Sequence, residues 1–283
     1  MIPIIKKYDL NFFKLYLSFL KKVKGHGLSK IPLIIKLNSF LFKSIKTKEV
    51  EFFNCRVLLD KYDKYHLSSQ DYEIPPEVKN SVHPGQTIVD VGASIGIYTI
   101  FFAKMVGEKG KVYAFEPEPN NFELLKKNIT INGFKNVILE NKAVSDISGT
   151  VKMEVADNIA NHRITKNFSG PTFDIESVSI DDYFKDKVPK IDLLKIDAEG
   201  YDGYVISGGI KTITKNSSMK ILMEFHTKFM KEAGLEPLNL FKILSNLKLK
   251  ITDLKNNKCV DELYIKKLDK LDYYSTNFFC ERS

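Results

Sequence analysis

Four short stretches of the 283-residue chain place charged and small residues where chemistry could be done. The first runs Asp90-Val-Gly92-Ala-Ser94-Ile-Gly96 and reaches Thr99; the second is Glu116, at the end of VYAFE. The third is Lys195-Ile-Asp197-Ala-Glu199-Gly200, and the fourth is Glu224-Phe-His226. Each follows an apolar run, so each would be delivered to the end of a buried strand. A dinucleotide site needs Gly-x-Gly-x-x-Gly, because the second glycine lets the backbone approach a pyrophosphate. Ser94 stands at that second position, and Asp90 would set a carboxylate beside the anion. Both features suit a positively charged ligand without phosphates, such as S-adenosylmethionine with its ammonium and sulfonium. Glu116 can accept two ribose hydroxyls in a bidentate hydrogen bond. NAD carries the same ribose, so the first turn separates the two cofactors. The bland alternative for Glu116 is a cap on the helix that follows.

The third and fourth stretches would serve the chemical step. Methyl transfer to oxygen is an in-line displacement at the sulfonium carbon, and an alkyl hydroxyl is a weak nucleophile. Alignment supplies much of the rate, and a positioned base about 10²–10⁴-fold. Side-chain alternation would send Lys195, Asp197 and Glu199 to one side if the strand persists that far. Asp197, Glu199 and His226 are then the candidates to orient the hydroxyl and take its proton. His226 is the better base near neutral pH, with a plain helix-start position as its alternative. Asp197, Glu199, Glu224 and His226 could also hold Mg²⁺ or Mn²⁺, but spacing does not show convergence and no metal is assigned. His162 with Arg163 reads as a solvated loop pair rather than an anion contact.

The elements that must carry these residues alternate. EFFNCRVLLD (51–60) reads as a hairpin or edge strand, EIPPEVKNSV (73–82) as a short helix and HPGQ (83–86) as a turn. Strands are expected at 87–91, 111–117, 136–146, 150–156, 191–197 and 219–226, with helices at 95–106 and 119–133 and helical segments between and after the last two strands. The stretch 157–175 has no strong periodicity, and a final strand pair is expected near 259–266 and 275–281. Such alternation argues an α/β fold, a mostly parallel sheet covered on both faces. In such a sheet ligands bind beyond the carboxyl ends of the strands, where the strand order reverses.

Taken together, DVGASIGIYT, KVYAFEPEPNNFELLKKNITING, KAVSDISG and LLKIDAEGYDGYVISGG resemble the FkbM family of S-adenosylmethionine-dependent methyltransferases over roughly residues 70–250. The resemblance implies a Rossmann-like seven-stranded sheet with an antiparallel last strand, and methyl transfer usually to a sugar or natural-product hydroxyl. It implies that Asp90, Gly92 and Gly96 line the methionine part of the cofactor and Glu116 the ribose, with Asn141 and Ala143 near the adenine. Lys195, Asp197, Glu199 and Gly200 match a K-[IV]-D-x-E-G signature near the transferable methyl. Ser94 stands where the family often has asparagine, and its hydroxyl can still bond the ligand.

Charge divides the chain at residue 48. Residues 1–48 hold eleven lysines and one acid, Asp9, whereas 49–283 carry 32 basic and 34 acidic residues. The net charge of +8 therefore belongs to an N-terminal arm ahead of a near-neutral domain over 49–283. In the arm, 10–20 and 31–45 have helical spacing and wide apolar faces, but neither has the roughly 20 apolar residues of a spanning helix. Such helices would pack on the main domain or a second subunit, or lie on an anionic membrane surface. Lysines interrupt every apolar run, so no signal peptide is read. Three widely spaced cysteines, Cys55, Cys259 and Cys280, fit a reduced, cytoplasmic chain, membrane-peripheral if the arm binds lipid. The expected partner is a small-molecule or glycan hydroxyl acceptor. A nucleic-acid methyltransferase would use the basic arm, but KIDAEG is not the Asn/Asp-Pro-Pro-aromatic motif of base-amino methylators; an NAD-dependent oxidoreductase is opposed by Asp90 and Ser94.

Overall fold

The computed structural model describes residues 49–59, 74–154, 163–164, 172–186 and 190–282. The expected arm helices and His162 lie outside these residues. Two compact units divide the chain, Met1–Glu73 and Ile74–Ser283. In the first, Glu49–Phe52 (β1) and Cys55–Leu58 (β2) pair as an antiparallel hairpin, turning through Phe53 and Asn54 at positive φ.

The second unit begins with Pro76–Lys79 (α1), Thr87–Val91 (β3), Ile97–Val106 (α2), Lys111–Phe115 (β4), Pro119–Ile131 (α3) and Val137–Glu140 (β5). Then come Ala143–Ser145 (β6), Gly149–Glu154 (β7), Arg163–Ile164 (β8), Thr172–Ser179 (β9), Ile180–Phe184 (α4) and Leu193–Ile196 (β10). Asp202–Ser207 (α5), Ile210–Lys215 (α6), Lys220–His226 (β11), Thr227–Glu232 (α7) and Pro237–Asn246 (α8) follow. Leu249–Asp253 (β12), Lys258–Cys259 (β13), Glu262–Asp269 (α9) and Ser275–Arg282 (β14) close the chain.

The main sheet has the order β13-β12-β14-β11-β10-β3-β4-β5. From β5 across to β11 the pairs are parallel, and β14 runs antiparallel to both of its neighbours. Seven of these strands are the Rossmann-like sheet with a reversed last strand; β13 adds two residues at one edge. The chain winds outward from β3 to β5 and then returns to β10 on the other side of β3. That reversal opens a crevice at the carboxyl ends of β3 and β10. Both central strands are buried along most of their length, which is why they read as continuous apolar runs. Val89, Val91, Leu194, Ile196, Ile221 and Met223 pack with residues of α5, α8 and α9 on one face, while α2 lies against β3 and β4 on the other.

Three expected elements differ. The strand expected over 136–146 is two: β5 stays in the main sheet, and β6 pairs with β9 in a separate sheet of order β6-β9-β7-β8. The break falls at Asn141, whose side chain is tied to the loop after β4. Within the aperiodic stretch 157–175, β8 and the start of β9 are strands, and TFDIES alternates exposed and half-buried residues before its last one is buried. Of the strand expected near 259–266 only Cys259 is strand, at the end of β13. From Glu262 the chain is helix α9, with Asp261 accepting from Tyr264 N at 2.7 Å as its cap. Its Ile265 and Leu268 face inward at helical spacing. The partner of β14 is instead β12, whose LKITD alternates buried and more exposed positions.

Candidate active site

Strand pairing sets Asp90 of β3 opposite Lys195 of β10, so both side chains share one face of the sheet. Lys195 Nζ lies 3.3 Å from Asp90 Oδ1 and 3.5 Å from Asp197 Oδ2, and donates to Gly92 O at 2.8 Å. Thr99, in the first turn of α2, donates from Oγ1 to Asp90 Oδ2 at 2.6 Å. Tyr98 lies beside the ammonium, 5.2 Å from it to the ring centroid. Burial would lower the Lys195 pKa, but the Asp90 and Asp197 carboxylates outweigh it and hold the ammonium above its ordinary value. Burial likewise pushes the Tyr98 hydroxyl up to about 12. Asp90 has no exposed surface, so the cation it faces is supplied by the chain itself. That pairing changes the first-turn argument: Asp90 holds Lys195, and Lys195 holds the Gly92 carbonyl.

The turn after β3 is close against the end of β10. Gly92 has φ +72, and a Cβ there would fall 1.9 Å from Asp197 O. Gly92 N and Ala93 N both donate to Phe115 O. Gly96, at φ +97, starts α2, and a Cβ there would meet Leu125 Cδ1 at 2.6 Å. Between them Ser94 donates its N–H to Glu116 Oε2 at 2.7 Å, while Glu118 donates to Oε1 at 2.9 Å. Burial pushes Glu116 up to about 7 against the opposing pull of these two donors. The helix cap is Glu118, which accepts from Asn121 N at 2.6 Å. The Asn121 side chain also donates to Glu116, and a carboxylate with about four acceptor positions can still accept from a ribose hydroxyl. Asn141 Nδ2 donates to Glu116 O and Pro117 O at 2.8 and 3.1 Å, anchoring the loop that carries Glu116. Ala143 is buried at the start of β6, packed with Met153, Tyr201 and Ala233.

Around β10 the expected alternation stops, because the strand ends at Ile196. Asp197 is 43% exposed in its side chain, and its N–H donates to Val91 O. Glu199 turns the chain at φ +50, ahead of Gly200 at φ +95. Asp202, at the start of α5, accepts from Ala198 N and Gly200 N, and burial followed by Asp197 pushes its carboxyl up to about 7. Next door on β11, Leu222 pairs with Lys195, which puts Glu224 on the same face. Burial drives the Glu224 carboxyl well above the usual range, and Asp197, Glu199 and Asp202 add to it. His226 accepts from Phe229 N at Nδ1, 3.3 Å, and its ring stacks on Phe229 at 3.9 Å. It therefore starts helix α7, and an unprotonated Nδ1 leaves the neutral ring with its proton on Nε2. In that tautomer His226 presents a donor, not a base. Among the described residues no three His, Cys, Asp or Glu side chains come together to hold a metal ion.

Tyr98 and Asp202 were not singled out by sequence reasoning. A tyrosine beside the Thr99 position and a second acid just after Glu-Gly were the available signals. The three cysteines are free, and no helix among the described residues is long and apolar enough to cross a membrane.

A doubly wound sheet with a reversed last strand, a Gly-x-Ser-x-Gly turn and an acid closing the second strand define a S-adenosylmethionine-dependent methyltransferase. Residues 90–249 match the family described as Methyltransferase FkbM domain, and the chain belongs to that family. It is similar to the hexuronic acid methyltransferase AglP of Haloferax volcanii, 26% identical over 83% of this chain and 89% of that protein. It is also similar to the methyltransferase sdnD of Sordaria araneosa, 23% identical over 64% of this chain and 77% of that protein. A solved FkbM methyltransferase from Methylobacillus flagellatus aligns over 78% of this chain and 56% of its own, at 18% identity and a TM-score of 0.44.

Proposed function

We propose that the chain methylates a hydroxyl oxygen on a sugar unit of a glycan or related small molecule. The observation that carries this reading is the rim at the carboxyl ends of β10 and β11, where half-exposed Asp197 stands beside half-buried Glu224. Carboxylates orient a neutral hydroxyl well and accept its hydrogen bond. The likeness to a hexuronic acid methyltransferase across most of the chain supports a sugar acceptor. In this reading Gly92, Ser94 and Gly96 bind the methionine end of the donor, Glu116 the ribose, and the segment from Asn141 to Ala143 the adenine edge. Bound S-adenosylmethionine supplies an electrophilic methyl group. Asp90, Thr99 and Lys195 frame the turn, Asp197 orients the acceptor, and Glu199 and His226 line its approach. An acid-rich rim would repel a phosphate backbone, which opposes a nucleic-acid substrate.

Labelled S-adenosylmethionine offered to a panel of neutral and uronic glycosides tests this. The expected product is an alkali-stable methyl ether. Label released by mild alkali would instead mark a carboxyl methyl ester and overturn the hydroxyl reading. In the same preparation S-adenosylhomocysteine should raise the melting temperature and NAD should not.

A further inference from the structure

Three buried carboxylate oxygens among the described residues accept no hydrogen bond, on Asp90, Asp269 and Glu224. The first faces the Lys195 ammonium at 3.3 Å and the second that of Lys231 at 3.0 Å, so Glu224 is the one that stands apart. Its Oε2 is buried, and among the described residues no donor reaches it. A buried acceptor without a partner gives up its hydration and gains nothing in return, so such atoms are rare and call for an explanation. The neighbouring acids are committed elsewhere. Asp197 Oδ2 faces the Lys195 ammonium at 3.5 Å. Both oxygens of Asp202 accept backbone N–H groups, and the Nδ1 of His226 accepts Phe229 N–H. Glu199 sits in the left-handed turn ahead of Gly200.

We propose that Glu224, rather than His226, takes the proton of the acceptor hydroxyl during methyl transfer, an inference that rests on the hydroxyl reading above. The acceptor oxygen forms a bond to the methyl carbon as the carbon–sulfur bond breaks, its electron pair remaining on sulfur. The hydroxyl proton passes to Glu224 Oε2. One positive charge on the sulfonium and one negative charge on Glu224 disappear together, so charge balances without a co-reactant.

The electrostatics of the rim fit this role. Burial and then Asp197, Glu199 and Asp202 favour protonated Glu224, and Lys195 is the cation that opposes them. A sulfonium arriving on this rim adds a second cation and draws Glu224 into its ionised, proton-accepting form. S-adenosylhomocysteine lacks that charge. Glu116 meets the ribose of either ligand, so its contribution cancels when the two are compared.

Titration calorimetry of the full chain near pH 7, in two buffers of different ionisation enthalpy, reads the protons released by each ligand. S-adenosylmethionine should release more than S-adenosylhomocysteine in the wild type, and Glu224→Gln should remove that difference. Binding of S-adenosylhomocysteine by the variant, within about threefold of wild type, shows that the cofactor site is intact. On whichever glycoside the panel identifies, Glu224→Gln should lower turnover by about 10²–10⁴-fold and lose the rising limb of the pH profile. Glu224→Asp keeps the charge but shortens the reach, and should retain the proton difference while losing turnover. Equal proton release by the two ligands in the wild type overturns the proposal. So does a difference that persists in Glu224→Gln, which would assign the proton to Asp202 or Glu199. Wild-type turnover in Glu224→Gln also overturns it. Failure to bind either ligand would instead overturn the cofactor assignment on which the whole reading stands.

Discussion

Lys195 and Asp90 are neighbours because parallel pairing sets them side by side on adjacent strands, and burial makes each dependent on the other. Lys195→Met would leave the Asp90 carboxylate buried without its cation. The expected loss is about 3–5 kcal/mol of stability, read by chemical denaturation. Glu116 responds to pH in a direction that can be worked out. Its folded pKa, about 7, lies above the ordinary 4.5, so the folded state keeps a proton that the unfolded state releases. Stability from this group is therefore greatest below about pH 4.5 and is lost as pH rises through about 7. Glu116→Gln should flatten that slope, a difference on the order of a few kcal/mol in denaturation curves across the window. Ribose hydroxyls bond the ionised form best, so affinity for S-adenosylhomocysteine should climb from about pH 6 to 8 in the wild type and stay level in the variant. Calorimetry at both ends of that range decides it. Asp90, Gly92, Gly96 and Glu116 stood out in the sequence because a charge or a glycine interrupts an apolar run. Their partners did not: Thr99 and Lys195 meet Asp90 only once α2 and β10 are placed around β3.

Two elements, the turn after β3 and the end of β10, share one narrow space. Gly92→Ala combines a left-handed backbone with a Cβ 1.9 Å from Asp197 O. Strain of about 1–2 kcal/mol and overpacking of about 1–3 kcal/mol both apply. The variant should melt well below the wild type and lose stabilisation by S-adenosylhomocysteine, which a thermal-shift series would show. Elements differed in how plainly they could be read. Strands β3, β4, β10 and β11 are apolar runs buried on both faces, and helices α2 and α3 are long enough to show themselves. By contrast, 259–266 offers hydrophobic residues that fit either a strand or a helix. The Asp261 cap and the inward Ile265 and Leu268 decide for a helix. Asn141 breaks what looked like one strand because its amide bonds the β4 loop, a contact 24 and 25 residues away along the chain.

At the scale of the whole molecule, charge is concentrated in residues 1–48 while the remainder is near neutral. If that arm meets a membrane, the full chain should cosediment with anionic vesicles and be released by high salt. A chain lacking residues 1–48 should stay in the supernatant and still bind S-adenosylhomocysteine. Unfolding or a change of oligomeric state on deletion would assign the arm to packing instead.

Period and punctuation in the sequence by themselves determined the alternating parallel sheet, the glycine turn after its first strand and the acids at the strand ends. These are local properties, since an apolar run followed by a glycine or a charge already states which end of a strand faces the ligand. The tertiary structure decided how those charges divide the work. Asp90 is neutralised by Lys195, His226 is committed to a helix start, and Glu224 is left with a buried oxygen that no donor among the described residues reaches. The physical reason is that pairing, burial and tautomer depend on which strands lie side by side, and strand order is not written in the spacing of any one segment.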